Sequence, residues 1–156
     1  MSVLIQGDQV RAVTLGIKVE KSSGATISGS TPLFTVSGLV LVRAIVGYVT
    51  TAFDGTTTSI SLTHDPTIGS AVDIAAATVV TSDVVGTVYS YVGAVPTTLL
   101  VSAGTAVPGT AYAPKPSEAF FAPGVINQVG TAADAGTVLW RCLYVPVSDG
   151  ASVVAA

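Results

Sequence analysis

Charge is scarce in this sequence. Of 156 residues, Lys and Arg number 6 and Asp and Glu 9, so 10% are charged, against about 25% in an average soluble chain. A helical bundle or coiled coil needs charged flanks and good helix formers, and neither is abundant here. A nucleic-acid binder needs a basic patch, but the net charge is −3 and the isoelectric point is about 4.7. There is one cysteine, Cys142. It has no intramolecular disulfide partner and cannot build a thiolate metal cluster. There is one histidine, His64, where a zinc site needs three or four nitrogen, sulfur or oxygen ligands. Aromatic residues make up 6%. A long hydrophobic run is also missing. The most apolar stretch, Leu39–Val49, carries Arg43 in its middle and falls far short of the roughly 20 residues a membrane helix needs. The opening segment MSVLIQGDQV lacks a basic stretch and does not read as a secretory signal.

What remains is apolar and β-branched. Hydrophobic residues make up 49%, with 16 Gly and 8 Pro, and the mean hydropathy is +0.71. Disordered chains combine low hydrophobicity with high net charge, so this composition is that of a folded chain. A length of 156 residues fits one domain. We read residues 1–156 as a single β domain, with 1–10 as an N-terminal arm or a buried first strand and 150–156 as a C-terminal tail.

Apolar residues recur at period two almost throughout, the mark of half-buried strands. Val13, Leu15, Ile17 and Val19 alternate with polar partners and predict a strand. Residues 25–30 predict a short one, and Pro32 fits only a strand start or edge. Phe34–Thr51 is the longest strand candidate, with Gly38 and Gly47 as sites of bulging or close backbone approach. Further strands are expected at 57–63, 72–74, 78–81, 86–92, 97–102, 125–129 and 137–147. In the last of these, Val138, Trp140, Cys142 and Tyr144 share one face and Leu139, Arg141, Leu143 and Val145 the other. Trp140, Cys142 and Tyr144 read as core. Residues 130–136 predict a turn, and 104–116, with three prolines, the longest loop. The whole predicts an all-β protein, an antiparallel sandwich or barrel of about eight strands with long Gly/Pro-rich loops.

Catalytic patterns are sparse. No G-x-S-x-G, G-x-G-x-x-G or Walker pattern occurs, so no catalytic residue, cofactor or metal ligand is expected. His64 and Asp65 are adjacent, and on a strand neighbours face opposite sides. His64 therefore reads as a surface or turn-capping residue. Asp54, Asp65, Asp73 and Asp83 read as solvated turn and loop charges rather than paired acids. Their placement is more informative. From Arg43 to Lys115 there is no cation between, and all four of these acids lie in that gap. A surface so poor in charge suits a chain covered by partners.

Several segments together resemble a family of small structural proteins encoded by tailed bacteriophages. They are LVLVRAIVGYVTTAF at 39–53, TTTSISLTHDPTIGSAVDIAA at 56–76, TVYSYVG at 87–93 and GTVLWRCLYVPVSDGASVVAA at 136–156. The last follows that family's G-x-V-x-W strand at 136–140 and Y-x-P turn at 144–146, and departs from its D-x-G-A tail, with Asp149-Gly150-Ala151 lacking the intervening residue. The resemblance covers about residues 33–156. It implies a capsid decoration, or cement, protein: a β-rich module on the outside of the phage head, made in the host cytoplasm and commonly trimeric. Its implied partners are the major capsid protein and its own copies, with no nucleic acid and no membrane. The alternatives are another virion part (tail tube, neck or fibre) or a carbohydrate-binding β-sandwich. Candidate partner-contact residues are Val3, Leu4 and Ile5 in the arm and Tyr112, Lys115, Phe120 and Phe121 around the Pro-rich loop, because aromatic anchors dominate interface energy.

Overall fold

The computed structural model describes residues 7–24, 27–56, 58–91, 99–102 and 118–156. It is an all-β protein with one short helix, α1 (Gly7–Leu15). Six strands make one antiparallel sheet: β1 (Ile17–Ser22), β3 (Val40–Thr51), β6 (Val88–Ser90), β7 (Leu100–Ser102), β8 (Ala119–Phe121) and β10 (Thr137–Pro146). Their order is β1-β10-β3-β6-β7, with β8 also paired to β3. The second antiparallel sheet has the order β11-β2-β9-β4-β5, from β2 (Ile27–Ser37), β4 (Ser59–Pro66), β5 (Val72–Val79), β9 (Gly124–Asp134) and β11 (Ser152–Ala155). The inner faces of both sheets contribute to one core.

Alternation makes the strands and selects their inward faces. On β10, Val138, Trp140, Cys142 and Tyr144 are buried while Leu139, Arg141, Leu143 and Val145 are only partly so. The indole Nε1–H of Trp140 crosses the core and donates to Gln128 Oε1 on β9 at 2.6 Å. The Tyr89 ring lies 6.3 Å from the indole, tilted by 31°. Gly47 makes that packing fit. A Cβ there would meet Trp140 Cζ3 and Val138 Cγ1 at 2.8 Å each, so the expected close approach is present. Pro32 sits where it costs least: β11 pairs only with Phe34–Ser37, and the β2–β9 register shifts between Pro32 and Phe34. That shift also lets two consecutive residues, Leu33 and Phe34, both be buried.

Several boundaries differ from the sequence reading. The predicted strand over 13–20 is helix up to Leu15, and only 17–22 pair, with β10. The period-two signal serves a buried face only at Val19, which packs against the core opposite Cys142; Val13 is 82% exposed, and Leu15 and Ile17 are also exposed. The long candidate over 34–51 is two strands in different sheets. Gly38, at φ +71°, turns the chain from one sheet to the other. Residues 130–134 are not a turn but the end of β9, and 72–79 form one strand with two register shifts against β4. The expected tail is largely β11, paired to β2. The Pro-rich loop lies outside the described residues.

Candidate interaction face

The two sheets differ in the surfaces they turn outward. The outside of the β4–β9–β2 region is mixed: Ser59, Ser61, Thr63 and Asp65 on β4, Asn127 and Thr131 on β9, and Thr35 and Ser37 on β2 surround Val125 and Val129 of β9, with Val154 of β11 exposed beside Thr35. The outside of the other sheet presents Leu41, Val46 and Tyr48 on β3, Leu139, Leu143 and Val145 on β10, Val88 on β6 and Phe120 on β8. The ladder fixes this clustering: Leu139 pairs with Tyr48, Tyr48 with Val88, and Leu41 with both Val145 and Phe120. Phe120 is 68% exposed and Tyr48 is also exposed. A contiguous apolar surface of this kind marks an interaction site more often than scattered single residues do.

Charge is concentrated on the same face. Arg43 explains its odd place inside the most apolar run, because it points outward. Its Nη1 donates to the Thr14 carbonyl at 2.6 Å, at the C-terminal end of α1, and its Nε lies 3.5 Å from Glu118. A cation there complements the negative end of the helix dipole. Glu20 sits between Arg141 at 2.6 Å and Lys18 at 3.1 Å. The Arg141 hydrogen bond, followed by that of Lys18, holds its carboxyl below the usual range. Arg11 on α1 makes no ion pair among the described residues. Between α1 and the sheet lies a groove of about 300 Å³ lined by Arg11, Leu15, Gly16, Lys18, Val46, Arg141 and Leu143. It has an aliphatic floor and a cationic rim.

The candidate contact residues fall in three places. Val3, Leu4, Ile5, Tyr112 and Lys115 lie outside the described residues. Phe120 stands on the apolar face. Phe121 does not: it is buried in the core opposite Val40, since neighbours on β8 point to opposite sides. The groove residues on α1 and β1 and the β3–β10 stripe were missed by sequence reading. Their only sequence signals were Arg43 within an apolar run and the Leu139–Arg141–Leu143–Val145 alternation.

The titratable residues sort differently than expected. His64 is not on the surface. It is buried, with its ring edge-on to Phe121 at 5.1 Å and Nε2 3.2 Å from the Ala122 carbonyl, and burial lowers its pKa. Asp65, next along β4, is exposed on the opposite side, so the two do not form an acid–base pair. Asp83 is not solvated either. It is buried and accepts a 2.6 Å hydrogen bond from the Tyr89 hydroxyl, with burial raising its pKa and that bond opposing. Asp134, also buried, accepts from the backbone N–H of Gly136 at 2.9 Å and of Asp54 at 3.2 Å through Oδ1. These are contacts that hold turns in place. Asp54 does the same for its own turn, accepting from the Thr56 N–H at 2.8 Å. Cys142 is fully buried, and its thiol is pushed up to about 12 by desolvation.

Among the described residues no group of three or more His, Cys, Asp or Glu side chains is placed to hold a metal ion, and no helix is long and apolar enough to cross a membrane. Comparison of the chain with protein-family models, with curated proteins and with solved structures finds no match.

Proposed function

We propose that this chain is a structural protein of a tailed-phage virion, a decoration or cement protein that binds the outside of the head. Its partners in this reading are the major capsid protein and its own copies, as a homotrimer, and it carries out no catalytic step. The observation that carries the reading is the contiguous apolar, cation-bearing outer face of the sheet that holds β1, β10 and β3, with Phe120 and Tyr48 exposed on it. The resemblance over 39–53, 56–76, 87–93 and 136–156 supplies the context in which such a face would be covered.

Strands β1, β10, β3 and β6, with 6, 10, 12 and 3 residues, at about 4.8 Å by about 3.3 Å per residue give a flat face of about 500 Å², enough for part of one interface. A standard specific interface buries about 800 Å² per partner. Cementing by such contacts works through total buried area, repeated over a symmetric shell.

The test is binding to heads. Purified heads lacking the protein, incubated with the wild-type chain, should take it up to a fixed stoichiometry of hundreds of copies. Phe120→Ser and Tyr48→Ser should reduce uptake without unfolding the chain. A copy number in the tens, located at the tail or neck, would replace the head reading with another virion part. Absence from purified particles would end both.

A further inference from the structure

The sequence has a cation-free middle segment, and the fold gathers part of it into a single projection. The loop at 67–71 joins β4 to β5, and at its tip Ile68 is 92% exposed, more than any other large hydrophobic residue described. Val72 beside it is also exposed. Asp65 and Asp73 flank the loop. Both are exposed, and neither makes an ion pair among the described residues. Thr63 pairs with Asp73 and His64 with Val72, so the ladder holds both sides of the projection. The tip is thus an aliphatic knob between two free carboxylates.

The groove under α1 has the inverse character. Its aliphatic surface comes from Leu15, Val46 and Leu143, and its rim from Arg11, Lys18 and Arg141. Glu20 neutralises part of that rim, and Arg11 remains unpaired among the described residues. Tip and groove lie on different sheets, and they are opposite in charge.

We propose that the occupant of the groove is a second copy of this chain, whose β4–β5 tip seats Ile68 on Leu15, Val46 and Leu143, with Asp65 and Asp73 facing the cationic rim. Such a contact joins two different patches. It is head-to-tail, and it closes into a ring or extends according to the rotation between copies. This deepens the self-association part of the proposed function, and it is testable on the isolated chain.

Sedimentation velocity over a concentration series should show a reversible oligomer that weakens with added salt, because the rim charges are exposed. Ile68→Asp should weaken association by roughly 10- to 100-fold, the loss expected for one buried aliphatic side chain. The groove variant Arg11→Glu with Leu15→Gln should do the same, with unchanged circular dichroism and melting temperature in both. The decisive arm mixes the two. At a concentration where each variant alone is monomeric, the pair retains one intact tip and one intact groove, so the mixture should form a 1:1 heterodimer and nothing larger. A monomeric wild type, an oligomer indifferent to both variants, or a mixture that forms no complex overturns the proposal. If groove variants instead lose only head binding, the groove belongs to a shell protein and not to a copy. A chain that self-associates but ignores heads refutes the decoration reading alone.

Discussion

Exchanging Gln128 for Leu and Trp140 for Phe, singly and together, tests whether one polar link between the sheets is coupled across an apolar core. Both side chains are fully buried, and the indole N–H donates to the amide oxygen at 2.6 Å. The amide nitrogen of Gln128 is buried with no partner among the described residues. Trp140→Phe strands the amide oxygen as well, at a cost of about 1–3 kcal/mol. It also leaves a space of roughly 40 Å³, worth about 1 kcal/mol, so the variant should lose about 2–4 kcal/mol. Gln128→Leu strands the indole N–H but removes the unpartnered amide nitrogen, for a net loss of about 1 kcal/mol. The double variant removes every stranded group and keeps only the space, so it should lose about 1 kcal/mol. The singles then sum to about 3–5 kcal/mol against about 1 for the pair, a coupling of roughly 2 kcal/mol or more. At about 2–4 °C per kcal/mol, Trp140→Phe should lower Tm by about 4–16 °C, and the double variant should recover most of it. Because Trp140 is the only tryptophan, the measurement is calorimetry or far-ultraviolet circular dichroism rather than fluorescence. Losses that simply add would refute the reasoning.

Other outcomes follow from the same contacts. Gly47→Ala places a methyl 2.8 Å from Trp140 and Val138 and should cost about 1–3 kcal/mol by overpacking, read as a lower denaturant midpoint with unchanged slope. Phe121→Ser should cost several times more stability than Phe120→Ser, since only Phe121 is buried; equal melting temperatures would contradict the placement of β8. Cys142 should resist thiol reagents in the native state and react once denaturant unfolds the chain, because its thiol is both buried and held protonated up to about 12. Burial raises the folded-state pKa of Asp83. Its stabilising effect is therefore present below the unfolded value near 3.9 and lost as pH rises through the folded value. Melting temperatures of wild type and Asp83→Asn should accordingly diverge in favour of the variant as pH rises through the folded value, and a difference flat from pH 3 to 7 would argue against it.

The β character and the inward residues of β10 were legible because alternation is local: a residue's face depends on its parity along the strand. The same parity explains why Phe120 and Phe121 part company, and why His64 and Asp65 do not meet. It could not show that residues 7–15 coil into a helix, since the alternation of Val13 and Leu15 serves no buried side. Nor could it place the break at Gly38, where one apolar run is divided between two sheets. His64 on β4 is packed by Phe121 arriving from β8, and Asp83, between β5 and β6, is bonded by Tyr89 of the strand that follows it. The scarcity of charge was visible from the start, and so was the cation-free middle of the chain. Their meaning in space was not. Only the pairing of β10 with β3 and β1 brings Arg141, Lys18 and Arg43 onto one apolar face, and only the β4–β5 connection lifts Ile68 between two carboxylates. Strand register is set by contacts between residues far apart in sequence, so the polarity of the molecule is a property of its tertiary structure.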